Sequence, residues 1–299
     1  MNLSTRGLVA AAIPLLFVAL PAAAQDSSIY VQCPDTTEKH PDAGGTSADG
    51  SNIECKHISG GDGMVTMADG KQLYIFGFAD IPLPEQAIGD GDIANISQYP
   101  GYVLEQGLLA AESPAPTIVV DEDDELFLTL TNVGMAMRPD LFDPHTVHWH
   151  GFPEASSIFD GVPDASISIN MGASLTYYYL AKDAGTYMYH CHVEATEHMQ
   201  MGMLGNLWVR PRQNRCADIP DGSGLPGAVC PPGHVDGTTK YAYNDGDGST
   251  RYDVDYPIQI GSFDPAFHDA SFEVQPLPFA AMEDRYFFLN GRGYPDTTD

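Results

Sequence analysis

Between His190 and Met203, fourteen residues carry one thiol, three imidazoles and three thioethers: His190, Cys191, His192, His198, Met199, Met201 and Met203. A second cluster lies upstream, in His145-Thr-Val-His148-Trp-His150-Gly151. No other part of the sequence concentrates soft and borderline metal ligands in this way. The first cluster follows Gly185-Thr-Tyr-Met-Tyr-His190, an aromatic run leading out of a glycine, which predicts a strand. Side chains alternate faces along a strand. His190 and His192 then point one way and Cys191 the other. Two metal sites joined by a very short covalent path follow from that alternation.

Beyond Cys191 the chain offers His198 and, five residues later, Met203. A thiolate, two imidazoles and a weak axial thioether make a blue-copper electron-transfer site. His145 is the natural second imidazole. His148 and His150 share one strand face, and His145 can lie apart from them. Zinc also takes Cys and His. Six histidines, one cysteine and a methionine in two strand-like clusters fit copper better.

His-x-x-His-Trp-His-Gly, together with His-Cys-His and His-x-x-x-Gly-Met, resembles the copper signature of the multicopper oxidases, laccase-like proteins built from cupredoxin domains. Ala184-Gly-Thr-Tyr187 and Pro114-Ala-Pro-Thr-Ile-Val-Val120 also match. The resemblance covers residues 63–212 well and 254–299 faintly. It implies a type 1 copper held by His145, Cys191 and His198, with Met203 axial. It implies His148 on a type 2 copper, and His150, His190 and His192 on a type 3 pair. In the family, electrons from a reducing substrate enter at type 1 copper. They pass through the Cys and its flanking His residues, here Cys191, His190 and His192, to a trinuclear cluster that reduces dioxygen to water. One departure stands out. The family's Cys-to-His spacing is five residues and here it is seven, so Val193 to Glu197 reads as a lengthened loop, with Met199 and Met201 as rival axial ligands.

The rest of the chain reads as all-β. Length alone, 299 residues, suggests about two domains. The 30 Gly and 23 Pro punctuate short apolar runs. Strands are expected at Lys71–Phe78, Thr117–Asp121, Glu125–Asn132, Thr146–Gly151, Ser166–Asn170, Ser174–Leu180, Tyr187–His192 and Gly205–Arg210. In the third, Leu126, Leu128 and Leu130 alternate with Phe127, Thr129 and Thr131 to give one apolar face. A helical turn is expected within 105–111. Together these predict a Greek-key cupredoxin β-sandwich over 63–212. It is preceded by an extended arm over 25–62 and followed by a linker over 213–253. Residues 254–299 form the incomplete start of a second cupredoxin domain, with strands at Tyr256–Gly261 and near Tyr286. His40, His57 and His234 are expected at the surface.

The family's trinuclear cluster uses eight histidines from two domains, and this chain offers four. The expectation is therefore the front portion of a longer oxidase, its cluster completed by C-terminal cupredoxin sequence or by another subunit. The partners implied are dioxygen and a small reducing substrate, phenolic or a metal ion. Glu194 and Glu197 are candidates to dock a cation, or are simply solvated loop charges. The alternatives are a single-site cupredoxin electron carrier and a non-catalytic copper-binding protein.

A net charge of −28 excludes a nucleic-acid partner, since phosphates are repelled. Arg6, the apolar run Leu8–Leu20 and Ala22-Ala-Ala24 read as an export signal over residues 1–24. The run is too short to span a membrane comfortably, and no other is longer. A periplasmic or secreted location follows, where disulfides persist. With Cys191 assigned to metal, Cys33, Cys55, Cys216 and Cys230 remain. The local pairing Cys33–Cys55 and Cys216–Cys230 is expected, with cross-pairing as the alternative. Closing the second loop of about 15 residues contributes roughly 3 kcal/mol in the chain-entropy model.

Overall fold

The structure, a computed structural model, describes residues 29–43, 47, 49–152, 155–220 and 222–297. The expected export signal lies outside them. The strands before the first histidine cluster are β1 (Ile53–Thr66), β2 (Gln72–Asp80), β3 (Ala115–Asp121) and β4 (Glu125–Gly134), with helices α1 (Pro84–Gly89) and α2 (Tyr99–Gly107) between β2 and β3. Then come β5 (His148–His150), β6 (Ser174–Leu180), β7 (Gly185–His190), helix α3 (Ala195–Met201) and β8 (Leu204–Arg210). Two four-stranded sheets, ordered β2-β1-β4-β6 and β3-β8-β7-β5, form the sandwich. Both sheets are mixed: β1 runs parallel to β4 and β3 parallel to β8.

The apolar alternation of β4 does what it predicts. Leu126, Leu128 and Leu130 enter the core, where they join Phe76 and Phe78 of β2 and Trp149, Tyr189, Leu207 and Val209 of the facing sheet. Cys191, Met201 and Met203 belong to the same core. The outer face of β4 is buried as well, because Tyr99, Tyr102 and Val103 of α2, with Ile81, Ala87 and Ile29, cover Val133.

Several expectations are corrected. Residues 53–62, expected in the arm, are the first part of β1, and 53–61 pair with β4. The helical turn expected within 105–111 is the end of a longer helix, α2, which starts at Tyr99, has Pro100 in its first turn and ends at Gly107. Residues 166–170 contribute only an isolated bridge between Ile169 and His145. His40 and His57 are buried, not at the surface. His40 Nδ1 lies 2.6 Å from the Glu125 carboxylate. His57 stands between the Tyr99 hydroxyl at 2.6 Å and the Thr131 hydroxyl at 2.7 Å. The His234 side chain is 4% exposed and stacks on Tyr241. In each case a polar partner offsets the cost of burying the imidazole.

Both local disulfides are present, Cys33–Cys55 and Cys216–Cys230, and Cys191 is free. The expected linker is docked. Buried Arg212 pairs with Glu122 and Asp123 in the β3–β4 turn. Strands β9 (Lys240–Tyr241) and β10 (Arg251–Tyr252) form a small ladder. The last segment holds β11 (Ile260–Phe263), α4 (Pro265–Phe272), β12 (Tyr286–Leu289) and β13 (Arg292–Gly293). Its first strand starts at Ile260, later than the expected Tyr256. This segment's Phe263 and Phe288 pack on Met67, Leu73 and Ile75. Among the described residues, no helix is long and apolar enough to cross a membrane.

Candidate metal centre

β7 ends at His190, and the chain turns immediately into Cys191. The register of β5 on β7 sets His148 opposite His190 and His150 opposite Met188. Past His190 the backbone ladder stops, and Thr146 replaces it. Its hydroxyl accepts from His192 N at 3.0 Å, and its N–H donates to Cys191 Sγ at 3.5 Å. The thiol therefore turns inward while His192 stays with the other histidines.

On the inner side, His145, Cys191 and His198 are fully buried, with donor atoms within 4.8 Å of one another. The thiol is 3.1 Å from His198 Nδ1 and 3.9 Å from His145 Nδ1. Each imidazole thus offers Nδ1 to one point in the core. The Nε2 atoms of both are buried without a hydrogen-bond partner. His198 Nε2 is 3.7 Å from an Asp143 carboxylate oxygen, beyond hydrogen-bonding range but close enough to attract. Burial, with His198 nearby, pushes His145 well below the ordinary imidazole range. Burial also opposes a proton on His198, but Asp143 and the thiol outweigh it and hold that group at about 10.

On the outer side, the ligand atoms of His148, His150 and His190 also lie within 4.8 Å of one another. The His192 ring sits 4.9 Å from that of His148 and 5.6 Å from that of His190. Two carbonyls fix tautomers. His190 Nδ1–H donates to the Cys191 carbonyl at 2.7 Å, and His148 Nδ1–H to the Asp160 carbonyl at 2.6 Å. In the neutral rings each Nε2 then carries a lone pair. His190 Nε2 faces His150 Nε2 at 2.7 Å. Burial lowers His190 to about 4 and also lowers His150, with the neighbouring imidazoles adding to both shifts. These rings are neutral near pH 7, the form that binds a metal.

The structure thus sorts the seven sequence-predicted Cys and His residues into two groups on either side of one dipeptide. The lengthened loop is a helix: α3 carries His198, which packs edge-on against Phe76 at 5.5 Å. Met201 and Met203 are buried in the core and Met199 is half-buried. The Met203 N–H donates to the His198 carbonyl at 2.9 Å, and its own carbonyl accepts from Cys191 N at 3.3 Å. Glu194 is exposed, but Glu197 is 8% exposed, and burial raises its carboxyl to about 7. Sequence reading missed Thr146, Asp143 and Asp160. Thr146 was signalled only by standing between two ligands. The other two act through folding, and spacing carries no trace of them.

A thiol and two imidazoles converge on one buried point beside a cluster of four imidazoles, a donor set suited to copper on a β-sandwich. The soft and borderline donors fit that metal. Residues 102–214 match the multicopper oxidase family model. The chain is 37% identical over 103 residues to multicopper oxidase MCE of Talaromyces pinophilus, a match covering 34% of this chain and 16% of that protein. It is 37% identical over 105 residues to Laccase-1 of Emericella nidulans, covering 33% and 15%. The matches therefore span less than a fifth of either relative's length. Among solved structures, the blue copper oxidase of Nitrosomonas europaea superposes with a TM-score of 0.50 at 23% identity, over 82% of this chain and 55% of that one. That likeness establishes the cupredoxin-type fold. Residues 102–214 are thus similar to a multicopper oxidase domain, a family whose cofactor is copper.

Proposed function

We propose that this chain is the copper-bearing front portion of an exported multicopper oxidase, which oxidises a small phenolic or metal-ion donor one electron at a time and reduces dioxygen. His145, Cys191 and His198 would hold the type 1 ion, with Met203 as the fourth ligand. His148 serves the type 2 ion, and His150, His190 and His192 the type 3 pair. Residues 1–24 are the export signal to the periplasm or exterior, 25–52 the arm, 53–212 the copper domain including β1, and 213–253 the linker. Residues 254–299 begin a second cupredoxin domain. The remaining cluster ligands come from further C-terminal domains or another subunit.

The observation that carries this reading is the division of ligands about Cys191 and His190. Bound copper supplies one-electron redox chemistry at the thiolate site and dioxygen reduction at the histidine cluster. The chain's own residues do the rest. Burial keeps water from Cys191. Thr146 donates a hydrogen bond to the thiol and accepts one from the His192 N–H. The bond from His190 Nδ1–H to the Cys191 carbonyl links a cluster ligand to the thiol-bearing residue beside its covalent path. A rigid β-scaffold limits reorganisation between oxidation states. Cation docking by the loop acids is narrowed to Glu194, because Glu197 is buried.

Copper counting with visible and electron-spin spectra tests the reading. Cys191→Ser abolishes the blue band, His198→Ala alters it, and His148→Ala leaves it intact. Blue colour persisting in Cys191→Ser overturns the assignment. Oxygen consumption with a phenolic or metal-ion donor requires the completed cluster.

A further inference from the structure

Helix α3 is seven residues long, and its N-cap, Glu194, is left-handed and makes no side-chain cap bond. So short a helix is marginal by itself and takes its position from tertiary partners. Its partner on the last segment is specific. Gln200 Oε1 accepts from Asp264 N at 2.9 Å, and Gln200 Nε2 donates to Asp284 Oδ1 at 3.0 Å. The amide is thus read in both senses, which fixes its orientation. Met282 Sδ lies 3.3 Å from the same Nε2. Fully buried His268, on α4, stands between the Gln200 carbonyl at 3.0 Å and the Tyr74 carbonyl at 2.6 Å. Asp264 and Asp284 are themselves held: the first caps α4 through Ala266 N, the second accepts from Ser262 Oγ at 2.6 Å.

We infer that Gln200 is a positioning residue through which residues 262–284 set the place of His198, two residues earlier on α3. The inference rests on the proposed role of His198 as a type 1 ligand. It adds that the geometry of that site is dictated from the expected second domain. A short ligand-bearing helix gripped from outside its own sandwich transmits any displacement of the 262–284 segment to the metal.

The test swaps the two polar groups. Gln200→Glu sets two carboxylates against each other and removes the amide donor. Adding Asp284→Asn restores a donor facing an acceptor, and the new amide oxygen still accepts from Ser262. In the metal-free protein, Gln200→Glu speeds amide hydrogen exchange across 195–203 and leaves β4 and β6 unchanged, and the double variant returns the exchange to parent values. In the copper-loaded protein, Gln200→Glu shifts the blue band and speeds copper release to a chelator by about 10-fold or more, the usual scale for residues that support a ligand. Addition of Asp284→Asn reverses both effects. Should Gln200→Glu fail to fold, Gln200→Met, similar in volume and lacking both polar atoms, gives the same acceleration without rescue by Asp284→Asn. Parent-like exchange and release in Gln200→Glu overturn the inference, as does a defect that the second substitution leaves uncorrected. A parent protein that takes up copper without a blue band overturns the type 1 reading instead. The metal-free exchange then still decides whether the clamp exists.

Discussion

At the scale of single residues, the candidate ligands stand out in the sequence and the groups around them do not. Cys and His announce themselves by type, and alternation along β7 separated Cys191 from His190 and His192 before any fold was known. The supports are backbone atoms and common polar side chains. Gly161 shows the difference. It sits at φ +78°, and a Cβ there would overlap the Val147 carbonyl and lie 2.9 Å from His148 N. The preceding residue, Asp160, accepts the His148 Nδ1 proton. Gly161→Ala therefore strains the turn and moves His148, a proposed ligand. The expected loss is on the order of 2–3 kcal/mol in denaturant titrations, together with weakened copper binding at the histidine cluster. The buried thiol site keeps its colour.

At the scale of elements, the strands with clean alternation were read nearly in full. β6 coincides with the expected Ser174–Leu180, and β4 and β8 differ by a residue or two at their ends. Helices α2 and α3 were misplaced or missed, because tertiary contacts hold them more than propensity does. Ala-Thr-Glu-His-Met-Gln-Met carries no capping signal, and its contacts lie on β2 and the last segment, remote in sequence. The same logic assigns the stability to the sheets. Leu128 of β4 is fully buried between them. Leu128→Ala costs about 2–5 kcal/mol, measurable as a drop in the denaturation midpoint of the metal-free protein. A cost within about 0.5 kcal/mol, the range of surface substitutions, would mean that β4 is not the centre of the fold.

At the scale of the molecule, burial of histidines expected outside ties stability to pH. The Tyr99 hydroxyl donates to the Pro82 carbonyl at 2.8 Å and so accepts from His57 Nδ1–H. His57 Nε2 then accepts from the Thr131 hydroxyl, which settles the ring as neutral. Desolvation lowers its pKa to about 3 from an ordinary 6.5. Below pH 6.5 the unfolded chain takes up a proton that the folded chain refuses. The contribution of His57 is complete above pH 6.5 and is lost as pH falls toward 3, with a slope of up to about 1.4 kcal/mol per pH unit. His57→Gln flattens that acid limb in denaturation measured at a series of pH values. An unchanged slope would place the proton uptake elsewhere. Neither the packing of α2 over β4 nor this tether was visible in the sequence, since α2 and His57 are 42 residues apart at their point of contact.

The two ligand groups differ in their access to solvent: His150 is exposed and His148 half-buried, whereas no donor of the thiol site reaches the surface. On the proposed assignment, metal exchange therefore has two clocks. The open histidines equilibrate with dissolved copper on mixing, while filling or emptying the sealed pocket waits for a transient opening of the protein. A mild chelator strips the first within moments and leaves the blue colour standing, so bleaching reports how often the molecule breathes.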